Sequence, residues 1–166
     1  LWLIFSWLPE RGVDQPRQRL LHIFFFTALV ANAIGYPLVT EFFQVDRWLP
    51  LESAVNRIMG YTFTVGITQE LLKFIVIRLV AWPDYFITWP DGIAYGATAA
   101  VGYTLVLSLH YVLGTDLTPD VAALRVFVIY AIHMITSIIV GYGLADLRFR
   151  GNSLLLLPLT LTLAAL

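Results

Sequence analysis

Two residues in this chain, Glu70 and Lys73, sit three apart in the middle of a long apolar stretch. That spacing puts them about one helical turn apart on the same side. A histidine, His133, lies near the middle of another such stretch. If both stretches cross a bilayer, Glu70 and His133 fall at similar depth, and two inward-facing side chains there can meet. A carboxylate at the bilayer centre costs about 2.5–3.5 kcal/mol even on the lenient insertion scale, and such groups usually pair, face the bundle interior and mark functional sites. The sequence thus points to a buried Glu–His centre with Gln69 and Lys73 close by. Two plainer readings stand beside it. Glu70 and Lys73 can form a purely structural ion pair, and His133 can simply hydrogen-bond a neighbouring helix.

The elements that carry these residues follow from composition. The chain of 166 residues is 59% hydrophobic and 13% charged, where a soluble domain carries about 25% charged residues. Its apolar residues run in blocks near the roughly 20 residues that a spanning helix needs. The expected fold is an all-α polytopic transmembrane bundle of five to six spans, a single transmembrane domain over 1–166. The spans are 1–8, 20–43 with Pro37 inside, 58–82, 92–113, 121–147 and 153–166. The first and last are incomplete, so both ends look cut from a longer membrane protein. Residues 44–57 suit an interfacial helix. Residues 83–91 form a connection rich in Pro and aromatic residues, which suits an interface. No cysteine is present, which removes disulfides and thiolate chemistry. A net charge of -1 gives no electrostatic footprint for nucleic acid.

Positive charge sets the orientation. Arg11, Arg17, Arg19, Arg78, Arg148 and Arg150 flank the odd-numbered connections, against Arg47, Arg57 and Arg125 at the even-numbered ones. The first group is therefore expected on the cytoplasmic side. Asp91 is expected to cap the fourth span, with Gly92 next, and Tyr95 lies one turn on. His110 and His22 are expected to reach for the interface. Gly92 and Gly96 form a Gly-x-x-x-Gly suited to helix packing, and Gly141 and Gly143 suit packing as well. Asp91, Tyr95, His110 and Ser137 are secondary site candidates.

Gln-Glu-Leu-Leu-Lys (69–73), Asp-Gly-Ile-Ala-Tyr-Gly (91–96), Val-Gly-Tyr (101–103) and His133 followed by Gly-Tyr-Gly (141–143) come in a telling order. Together with Arg125, they resemble the PrsW family of bacterial intramembrane proteases, relatives of the CAAX prenyl endopeptidases. The resembling core spans 58–147. The resemblance implies a helical bundle in the bacterial plasma membrane, with a water-accessible cavity and a membrane-anchored substrate such as an anti-sigma factor. It implies that Glu70, Lys73 and His133 match the family's site, Glu70 as general base and His133 orienting a water or stabilising an oxyanion. The family motif, however, is Glu-Glu-x-x-Lys, and Gln69 stands at its first position. Leu107 and Ser108 stand where the family usually has Glu-Asn; His110 is one turn beyond Leu107 and is a candidate replacement. A Gln amide takes no proton near neutral pH. Zinc is conceivable, but one Glu and one or two His are too few for a catalytic site, which usually has three protein ligands. The expected partners are lipid and the transmembrane helix of a substrate or partner protein. The expectation is a degenerate protease site that binds a transmembrane segment or serves a membrane complex. An active protease is the alternative. A proton or solute pathway subunit is a further one, though the chain lacks the paired broken helices that transporters use.

Overall fold

The computed structural model describes residues 17–82, 84–114, 118–151 and 160–162. The expected first span, residues 115–117 of the acidic connection and all of the last span except 160–162 lie outside the described residues. Regular structure among the described residues is helical, so the chain is an all-α membrane-type bundle. Helix α1 (Arg17–Val30) continues through two widened, π-helical turns, Ala31–Gly35 and Leu38–Phe42. Pro37 lies between them. Proline has no N–H to give, and the chain accommodates it by spacing its hydrogen bonds five residues apart: Tyr36 N–H donates to the Ala31 carbonyl and Phe43 N–H to that of Leu38. Gln44, in the left-handed region at φ 50°, ends the run.

The stretch expected as one interfacial helix over 44–57 is divided instead. It comprises α2 (Val45–Trp48), a 3-10 turn (Leu49–Leu51) and the start of α3 (Ala54–Tyr61). The causes are local. Pro50 sits in the tight turn, and Glu52 is extended. Ser53 then starts a new helix, its Oγ accepting from Asn56 N–H at 3.3 Å, the usual N-cap bond. A third widened turn, Thr62–Gly66, joins α3 to α4 (Ile67–Val80). Helices α5 (Trp89–Gly114) and α6 (Pro119–Phe149) follow.

Among the described residues, Gln18–Leu51, Trp89–Gly114 and Pro119–Phe149 are long and apolar enough to cross a membrane. The run over 54–80 is long as well, but Gln69, Glu70 and Lys73 interrupt its apolarity. Helix α5 is central. It packs most extensively on α6 and next on α1, and it does so through missing side chains. A methyl group at Gly92 would collide with the Gly141 carbonyl, one at Gly96 with the Ser137 carbonyl, and one at Gly102 with the Phe24 carbonyl. Lipid tails are as apolar as any side chain, so close backbone approach, not apolar burial, is what gathers membrane helices. Large apolar groups accordingly point outward: Phe25, Leu29, Leu124, Phe127 and Ile135 are all exposed. One apolar core, including Ile23, Ile77, Phe86, Tyr95 and Leu144, ties the ends of the helices together on the side carrying Arg19 and Arg78.

Candidate functional site

Where α4 meets α6, five side chains form one polar cluster. Helix α4 contributes Glu70 and Lys73. Helix α6 contributes His133, Thr136 and Ser137, whose spacing places them on one helical face. Glu70 is 2% exposed and Lys73 1%, so neither charge is solvated. Glu70 Oε1 accepts from Lys73 Nζ at 2.5 Å and from Thr136 Oγ1 at 2.6 Å. Its Oε2 accepts from Ser137 Oγ at 3.1 Å. Lys73 Nζ also donates to Ser137 Oγ at 2.6 Å and to His133 Nδ1 at 3.2 Å. An ammonium group has no lone pair to offer. His133 Nδ1 must therefore accept, which assigns the ring proton to Nε2. The same Nδ1 lies 3.8 Å from Glu70 Oε1.

Each bond to a charged group is worth about 1.5–3 kcal/mol. Several of them offset what it costs to hold a carboxylate and an ammonium in apolar surroundings, about 2.5–3.5 kcal/mol for a single charge on the insertion scale. The cluster is thus self-contained: the Glu70 carboxylate has protein donors on both oxygens, and the Lys73 ammonium has three protein acceptors.

Sequence reasoning missed two neighbours. Thr136 looked like an ordinary helical threonine, yet it donates to Glu70. Tyr103, from α5, is fully buried. Its ring lies 6.2 Å from that of His133 and 5.6 Å from Lys73 Nζ, centroid distances that place an aromatic face near the ammonium. Its hydroxyl has no hydrogen-bond partner among the described residues. It occupies the space that a side chain at Gly35 would fill, so the glycine there is what admits it. The signal for Tyr103 was in the Val-Gly-Tyr motif. Nothing in sequence marked Thr136.

Other candidates lie elsewhere. Gln69 is buried at 7% but is one residue round the helix from Glu70 and so does not share its face. Asp91 is not the N-cap: α5 begins at Trp89, three residues earlier than a cap at Asp91 requires. From the first turn, Asp91 Oδ2 reaches back to accept from Ile87 N–H at 2.8 Å and Thr88 N–H at 2.6 Å, as the third residue of a capping box does. Tyr95 donates to the Tyr85 carbonyl at 2.7 Å. Both therefore fasten the connection to α5 at the arginine-rich end. His110 packs near the opposite end of α5. Its Nε2 is 3.0 Å from Asn32 Oδ1, and its ring stacks on Tyr36 at 3.9 Å and 7°. Leu107 and His110 line one cleft there with Tyr36, Thr40, Asp46 and Tyr111. Arg125 donates to the Tyr111 hydroxyl at 2.9 Å.

A family model described as PrsW family intramembrane metalloprotease matches residues 15–166. The chain is also 24% identical over 163 residues to Protease PrsW of Bacillus subtilis (strain 168), covering 97% of this chain and 70% of that one. No solved structure matches.

The family description includes a metal, and the cluster's donors can be tested against it. No group of three or more His, Cys, Asp or Glu side chains gathers among the described residues. The cluster itself offers one carboxylate and one imidazole, where catalytic zinc takes three protein ligands. The space between those two groups and Ser137 holds the Lys73 ammonium. With the Lys73 ammonium in place, this donor set does not fit a catalytic metal.

Proposed function

The chain belongs to the PrsW family of intramembrane proteases, and from that premise we propose that this member binds a transmembrane segment of a partner protein at a protease centre that no longer activates water. The observation that carries this reading is the state of Glu70. Both of its oxygens are engaged by Lys73, Thr136 and Ser137, and the residue before it is Gln69. A general base must be within reach of the proton it takes and must have a lone pair directed at it. Three of the about four lone-pair sites of the Glu70 carboxylate are taken by Lys73, Thr136 and Ser137, and the Gln69 amide cannot substitute for it. Helices α3 and α6 leave Ile58, Leu124 and Phe127 exposed, which suits contact with a second apolar helix in the bilayer.

The alternative is an active intramembrane protease, with Glu70 as base and His133 beside it. The 3.8 Å separation of those two groups favours it, since catalytic hydrogen bonds often rearrange when substrate arrives. Incubation in proteoliposomes with a panel of single-span, membrane-anchored proteins separates the two. We expect crosslinking of bound segments without cleavage. Cleavage by the parent chain that disappears in both Glu70→Ala and His133→Ala would reverse the assignment. Appearance of cleavage on Gln69→Glu, in a parent with none, would trace the loss to that position.

A further inference from the structure

We propose that Lys73 is the resident cation of this centre: its ammonium fills the place between Glu70, His133 and Ser137 that a divalent ion would take, so the native chain assembles without one. Three acceptors surround Nζ, a carboxylate oxygen at 2.5 Å, a hydroxyl at 2.6 Å and an imidazole nitrogen at 3.2 Å. They match the three N–H donors of an ammonium in number. Their chemistry is also what a zinc-like ion selects, namely carboxylate oxygen and neutral imidazole nitrogen. The spacing discriminates between the two occupants. Hydrogen-bond lengths of about 2.5–3.2 Å suit an ammonium, whereas zinc holds its ligands at about 2.0–2.2 Å.

Charge points the same way. Glu70 and Lys73 sum to zero, and both are buried. A divalent ion added beside Lys73 would leave two positive charges uncompensated in the apolar interior. An ion that displaced Lys73 would strand an ammonium that is 1% exposed, and a buried charge without a partner is strongly destabilising. The tethered cation therefore excludes a free one while Lys73 is present. Once the ammonium is removed, Glu70, His133 and Ser137 face a vacated space with donors that a metal accepts. This inference concerns which cation the cluster holds, and it stands whether or not the centre hydrolyses peptides.

The test is the zinc content of the full chain in nanodiscs, after exposure to zinc and removal of the excess by gel filtration. The parent is expected to retain no stoichiometric zinc. Lys73→Ala is expected to bind zinc at least about tenfold more tightly, the scale on which single groups around a metal act. That gain should vanish in the Lys73→Ala, His133→Ala double variant. Lys73→Ser, which offers a hydroxyl to the same space, serves if the alanine variant does not accumulate. One zinc per parent chain that is lost on His133→Ala overturns the proposal. So does a folded Lys73 variant, with native helical circular dichroism, that gains no zinc. Neither result depends on a cleavage assay, so it leaves the assignment of catalytic competence to be decided separately.

Discussion

Helix α6 is held on two sides by opposite means. Against α5 it packs closely at glycines: Gly141 brings its backbone onto that of Gly92, and Gly96 lies against the Ser137 carbonyl. Against α4 it offers charge partners, with His133, Thr136 and Ser137 closing on Glu70 and Lys73. Ser137 belongs to both seams, its carbonyl in one and its hydroxyl in the other. The glycine seam is a steric solution and tolerates no added atoms. The polar seam is an electrostatic solution and tolerates no missing partners. Without a hydrophobic driving force between helices, a membrane protein has these two ways to bring helices together, and this chain places them side by side on one helix.

The contrast can be broken experimentally, and the largest effect should come from the polar seam. Glu70→Ala leaves Lys73 buried and unpaired, which should cost about 3–5 kcal/mol. Thermal unfolding in nanodiscs, followed by circular dichroism, reads this loss. The Glu70→Leu, Lys73→Met double variant removes both charges and should recover most of it, because paired replacement by apolar groups is often neutral or better. A double variant as unstable as Glu70→Ala would mean that the cluster's shape, not its charge balance, holds the seam.

Thr136→Val removes one hydrogen bond to the Glu70 carboxylate while preserving volume, and should cost about 1.5–3 kcal/mol in the same measurement. An unchanged midpoint would show that Thr136 stands beside the cluster without supporting it. Gly141→Ala adds a single methyl against the Gly92 carbonyl and should cost about 1–3 kcal/mol, as overpacking does. Combined with Thr136→Val it tests whether the seams are independent, since separate sites add within about 0.3–0.5 kcal/mol. Asp91→Ala loses the bonds to Ile87 and Thr88 and should cost about 0.5–2 kcal/mol, as removal of a helix cap does. A larger loss would raise the arginine-rich end of the bundle to the importance of either seam.

Much of this arrangement was legible because ionisable residues in apolar blocks are conspicuous. Glu70, Lys73 and His133 stand out in any reading of the sequence, and their spacing along the spans puts them at one depth. The Gly92 and Gly96 pattern announced close packing, though not that Gly141 would be the opposing surface. Tertiary choices stayed hidden. Thr136 in isolation would bond its own helix's backbone, as helical threonines often do; only the approach of α4 gives it Glu70 as an acceptor. His110 meets Asn32 and Tyr36, partners from a helix far away in sequence that no local pattern announces. The break at Pro50 was available in the residue itself and was outweighed by the amphipathic look of 44–57. Asp91 was recognised as a cap, but the helix starts three residues earlier than expected, so Asp91 caps from inside the first turn.

The widened turns carry a consequence for comparing this chain with its relatives. A turn closed by an i→i+5 bond holds one residue more than an α-helical turn. Each of 31–35, 38–42 and 62–66 is such a turn. A relative that keeps the same tertiary contacts with an unbroken α-helix will be one residue shorter at that point. Its alignment will therefore show single-position gaps inside helices, at places where gaps are normally treated as errors. Forcing those gaps shut would rotate every assignment on one side of the turn by about 100°. Upstream of 62–66, that error would exchange lipid-facing for inward-facing residues in α3 while leaving Glu70 and Lys73 correctly matched.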